Sequence, residues 1–106
     1  MWAVNGNNLK MCEGDFGIQL PIKVNGVTLT NADSLRITIK DLPNCNTILV
    51  KEFDNITNNT VNLEFTEEES ALFHVGTYVY CLDWFQNGLF LCNIIPSASF
   101  KVVDKA

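Results

Sequence analysis

The chain has 106 residues, 47% hydrophobic and 18% charged, which is enough for one folded domain with a sizeable core and too little for two. Twelve Asp and Glu stand against seven Lys and Arg, a net charge of -5. That balance argues against the concentrated cationic surface that nucleic acid or anionic lipid requires, so neither nucleic acid nor a membrane is expected as a partner.

Met1 to Cys12 has neither a basic start nor an apolar run, so no signal peptide is expected and synthesis in a cytoplasm follows. No stretch approaches the roughly 20 apolar residues that cross a bilayer. Phe16 to Ile22 alternates, with Ile18, Leu20 and Ile22 on one face, and Asn25-Gly26 makes a turn. Ser34 to Lys40 alternates again, with Leu35, Ile37 and Ile39 opposite Arg36, Thr38 and Lys40. A loop with Pro43 spans Asp41 to Asn46, a strand runs from Thr47 to Phe53, and Asp54 to Asn59 is a polar turn. The Asn-x-Thr sequons at Asn55 and Asn58 fall in that turn and mean only a polar loop unless the protein is secreted by a eukaryote. Val61, Leu63 and Phe65 then alternate with Asn62 and Glu64.

After Phe65 the period changes. Thr66 followed by Glu69 fits a capping box, and Glu67, Glu68 and Glu69 suit the positive end of a helical turn. Ala71 and Leu72 are expected to press on the core. Tyr78 to Phe85 and Leu89 to Pro96 read as a hairpin about Asn87-Gly88, and Phe100 to Val103 as a closing strand. Gly76-Thr77-Tyr78 places a tyrosine at the start of a strand, as immunoglobulin-like sandwiches do when the hydroxyl bonds back to the preceding turn. The expected fold is an all-β, immunoglobulin-like antiparallel β-sandwich of about seven strands, with one short helical turn near residues 66–73. It forms a single domain over 1–106, its core about 9–103.

Order and spacing together resemble the small immunoglobulin-like modules of tailed-phage and prophage tail or baseplate proteins, including the N-terminal domain of baseplate upper proteins. The residues that carry the likeness are Glu13-Gly14-Asp15 before an F-x-I-x-L-x-I strand, Leu35 to Lys40, and V-x-L-x-F-T-E-E at Val61 to Glu68. Leu72 with the G-x-Y-x-Y of Gly76 to Tyr80, and Ser99 to Val102, complete it. The likeness implies a virion structural component made in the bacterial host cytoplasm. It would assemble with copies of itself or other tail proteins as a homo-oligomer and carry out no catalysis. This chain stops after the sandwich, whereas the family's modules often open longer proteins, which favours a small accessory component over a fibre or receptor-binding role. The alternative is a non-catalytic binding module, either an adhesin or a carbohydrate-binding β-sandwich.

No catalytic, cofactor-binding or metal-ligating constellation is legible. His74 has only Phe73 and Val75 beside it, consecutive glutamates on a helix point in different directions, and no Gly-rich phosphate loop occurs. Cys12, Cys45, Cys81 and Cys92 contain no pair closer than eleven residues, so a metal clip is not expected. A tight Asn87-Gly88 turn pairs Asp83 with Cys92 and Cys81 with Ile94. The two sulfurs then lie diagonally, too far apart for an easy bridge, so all four thiols are expected to stay reduced, buried or half-buried.

The hairpin has two apolar faces. Tyr78, Tyr80, Leu82 and Trp84, joined by Leu91 and Ile95, are expected to enter the core. The opposite face carries Val79, Cys81, Phe85, Phe90, Cys92 and Ile94, interrupted by Asp83, and a surplus apolar face marks an interface. Either it packs on another copy or another virion protein, or a loop, the N-terminal segment with Trp2, or a shifted register covers it. Trp2 and Val4 could equally be a small arm that reaches a neighbour.

Overall fold

Alternation of apolar and polar residues becomes alternation of burial most clearly over Asn8–Cys12, Asp33–Lys40 and Thr60–Leu63. The structure, a computed structural model, describes residues 2–104. In chain order it runs β1 (Ala3–Asn5), β2 (Asn8–Cys12), β3 (Leu20–Lys23), β4 (Asp33–Lys40), β5 (Thr47–Phe53), β6 (Thr60–Leu63), α1 (Glu67–Ser70), β7 (Gly76–Gln86) and β8 (Leu89–Val103). Six strands form one sheet in the order β1-β2-β8-β7-β4-β5, and β3 pairs with β6 in a second. Among β8, β7, β4 and β5 this is the strand order of the larger sheet of a variable-type immunoglobulin sandwich, with β3 and β6 opposite. The fold is therefore the expected all-β sandwich. Its large sheet is mixed, because β2 lies parallel to β8.

The core sits between the sheets. Leu35, Ile37 and Ile39 on β4, Tyr80 and Leu82 on β7 and Phe100 and Val102 on β8 meet Leu20, Val61, Leu63 and Phe65 from the other side. Phe65 and Phe73 stack with centroids 5.3 Å apart, and Phe100 meets Phe73 edge-on at 5.2 Å. Such pairs add directional attraction to the area they bury.

The helical turn forms as its sequence dictates. The Thr66 hydroxyl accepts from the Glu69 N–H and the Glu69 carboxylate accepts from the Thr66 N–H, which completes the capping box. At the start of β7, the Tyr78 hydroxyl accepts from the His74 N–H at 2.9 Å and donates to the His74 carbonyl at 3.3 Å. The tyrosine thus ties down the turn it has just left.

Four expectations need correction. Trp2 does not form an arm that reaches a neighbour, although Val4 stays exposed. Asn8–Cys12 alternates Leu9 and Met11 into the core, and Trp2 packs on Phe65 and Phe100 with centroids 5.6 and 5.8 Å away while its indole N–H donates to the Ile18 carbonyl. The strand expected from Phe16 begins only at Leu20, and Phe16 and Ile18 remain exposed. Beneath α1 it is Ser70 and Phe73, not Ala71 and Leu72, that are buried. The final two strands are one, fifteen residues long, carried past Pro96 by bulges in its pairing with β7.

Candidate interaction surface on the large sheet

The outward face of the large sheet follows from register. Leu35, Ile37 and Ile39 point inward, so Ser34, Arg36, Thr38 and Lys40 point outward, and with them their β7 partners Phe85, Asp83, Cys81 and Val79. On β5, Val50 and Glu52 share that face as partners of Thr38 and Arg36. On β8, Phe90, Asn93 and Ser99 share it as partners of Phe85, Asp83 and Val79.

The hairpin register agrees with the expectation only at its tip. Asn87 and Gly88 both have positive φ, 51° and 79°, as a tight two-residue turn needs, and Gln86 faces Leu89 and Phe85 faces Phe90. A bulge between Trp84 and Phe85 then slips the pairing by one. Trp84 faces Cys92 and Asp83 faces Asn93, and a second slip between Leu82 and Asp83 sets Leu82 opposite Ile95. A one-residue slip moves side chains to the other face.

The six surface residues are therefore divided. Val79, Cys81 and Phe85 are half-buried on the outward face, and Phe90 stands beside Phe85 with centroids 5.7 Å apart and 54% of its surface exposed. Cys92 shares the inward face with Trp84 yet is exposed, because it lies on the hairpin end that outruns the four-residue strands of the small sheet. Ile94 is half-buried against the core, with Ile95 beside it. Leu91, expected inside, is 46% exposed, and Leu89 is 72% exposed. Leu89-Phe90-Leu91 is thus an apolar tip that alternation alone could have flagged, since three consecutive apolar residues cannot all face one core.

A polar row crosses the same face and breaks the apolar stripe. Glu52, Arg36, Asp83 and Asn93 are cross-strand neighbours over four strands. The Arg36 guanidinium lies 2.7 Å from the Glu52 carboxylate and 4.3 Å from the centroid of the Phe85 ring, and the Asn93 amide donates to Asp83. Arg36 thus joins an ion pair to a cation–π contact.

Asp33 anchors the same end from within. It is 97% buried by its 3% exposure, and its carboxylate accepts from the Thr30 N–H at 2.7 Å, the Trp84 indole N–H at 2.9 Å and the Gln86 amide at 3.3 Å. The Thr30 backbone bond outweighs burial, and with the Trp84 and Gln86 bonds it holds the carboxyl below the usual range. Sequence reasoning missed this residue, two of whose partners, Trp84 and Gln86, lie some fifty positions away.

The remaining chemistry is sparse. All four thiols are unpaired, Cys45 and Cys92 are exposed where burial was expected, and the Cys81 sulfur lies 3.9 Å from the Asp83 carboxylate. His74 is exposed, 3.8 Å from Glu13. Glu69 is pushed up by burial but held below its ordinary value by Lys51, 2.8 Å away, and by Thr66. Among the described residues, no group of three His, Cys, Asp or Glu is placed to hold a metal ion.

No family model, curated protein or solved structure matches this chain.

Proposed function

We propose that this chain is a structural component of a phage or prophage tail or baseplate, made in the bacterial host cytoplasm and acting by protein–protein packing without catalysis. The reading rests on the resemblance carried by Val61 to Glu68, Gly76 to Tyr80 and Ser99 to Val102. The observation of this molecule that supports it most is the projecting β7–β8 end. There Leu89, Phe90 and Leu91 are 72%, 54% and 46% exposed, although an isolated soluble domain has no use for an apolar tip. The side chains available for docking are Phe85, Phe90, Val79 and Cys81 on the sheet face, with Leu89 and Leu91 at the turn. A tail component uses such a surface against its neighbours or against further copies of itself.

Mass spectrometry of tail particles purified from the cells that encode the chain tests this. The chain is expected at a fixed stoichiometric ratio to the other particle proteins. Its absence from intact particles would refute the reading.

A further inference from the structure

The outward face of the large sheet has two unlike ends. At the hairpin end the Phe85–Phe90 pair borders a cleft of about 270 Å³ to which Glu52 and Asp54 contribute carboxylates, Arg36 being already engaged by Glu52. At the opposite end a depression of about 240 Å³ lies among Ala3, Asn5, Asn8, Lys10, Ser99 and Lys101. Its charged lining is two lysines and no acid, and the parallel register of β2 and β8 sets those lysines side by side. Like charges on adjacent strands repel, and a carboxylate brought from outside would relieve them. The two ends lie roughly 30 Å apart along β8 at the rise of a strand.

We propose that two copies of this chain pack outward face to outward face with their strands crossing obliquely, so that the Phe85–Phe90 pair and Asp54 of each copy seat over the Lys10–Lys101 depression of the other. This rests on the reading that the chain works by assembly, and it names the partner. A two-fold axis lying between the sheets and oblique to the strands makes both contacts at once, because Asp54 follows β5 while Lys10 and Lys101 lie on β2 and β8, three or four strands away in the sheet. The arrangement is isologous and closes at two copies. Acid meets base twice, and the exposed Phe90 ring leaves water. A face spanned by the 41 and 27 Å axes of the molecule offers on the order of 1,000 Å², above the roughly 800 Å² per partner of a standard stable interface.

Sedimentation equilibrium of charge-reversed variants tests the pairing. All three positions are exposed, and far-UV circular dichroism with a thermal melt checks that each variant is folded. The wild type is expected at twice its 11.9 kDa mass. Lys10→Glu/Lys101→Glu sets acid against acid, Asp54→Lys sets base against base, and each weakens its own dimer at least about tenfold. Mixed together, the two variants are complementary at both contacts and recover a 1:1 dimer. A mixture that stays monomeric overturns the pairing, as does a wild type that forms larger or variant-insensitive assemblies. Those last outcomes leave assembly itself standing. A monomeric wild type also overturns the pairing, and the particle measurement above then decides the function separately.

Discussion

Asp33 is the residue on which the hairpin end depends. It is buried, negatively charged and satisfied by four donors from two parts of the chain, the N–H and hydroxyl of Thr30 and the β7 side chains of Trp84 and Gln86. Asp33→Asn keeps the shape but turns an amide donor toward donors, and loss of a charged hydrogen bond costs about 1.5–3 kcal/mol. Urea unfolding at neutral pH is expected to show a deficit of that size, with near-normal stability the contrary result. The pH dependence has a definite sign. Asp33 and Glu69 are both held below their ordinary values, so their stabilisation is fully present above the unfolded carboxylate range near pH 4. It is lost as pH falls through the lower folded values. The urea midpoint should therefore fall on acidification below about pH 4, and fall less steeply in Asp33→Asn. Tyr78→Phe removes both bonds to His74, at about 0.5–1.5 kcal/mol each, and a thermal melt reads that loss. Tyr78 and Glu69 were legible in the sequence, because their partners His74 and Thr66 are four and three positions away. Asp33 was missed because its local bonds from Thr30 announce only a turn, while Trp84 and Gln86 reach it only after folding.

Elements with dense local signals formed where the residues dictate. Thr47–Phe53 is a strand over its whole expected length, Leu35, Ile37 and Ile39 line the core, and Thr66 with Glu69 caps α1. Thr66→Ala removes the cap that accepts from Glu69 and should cost about 1 kcal/mol by chemical denaturation. An unchanged midpoint would mean that Lys51, bonded to the Glu64 carbonyl and Glu69, holds the turn without it. The β7–β8 hairpin was legible at its Asn-Gly tip and lost beyond it. Bulges insert a residue wherever packing favours it, and a pattern of period two cannot announce where it will slip. That slip carried Cys92 and Ile94 off the face they were assigned. The pairing of β2 with β8 was equally hidden, because it joins opposite ends of the chain and its register is set by Leu9 and Met11 finding the core.

At the scale of the whole molecule, a two-stranded sheet covers a six-stranded one whose hairpin outruns it. The mismatch leaves an apolar tip and an outward face with acid at one end and lysine at the other. The proposed pairing places the partner on this outward face and on no other part of the surface. Hydroxyl-radical footprinting at dilute and concentrated protein tests it with an internal control, because Phe16 and Phe90 are 50% and 54% exposed on different parts of the surface. On concentration, oxidation of Phe85 and Phe90 is predicted to fall several-fold while that of Phe16 is unchanged. Equal labelling of Phe90 at both concentrations, or protection of Phe16 in its place, would contradict the pairing.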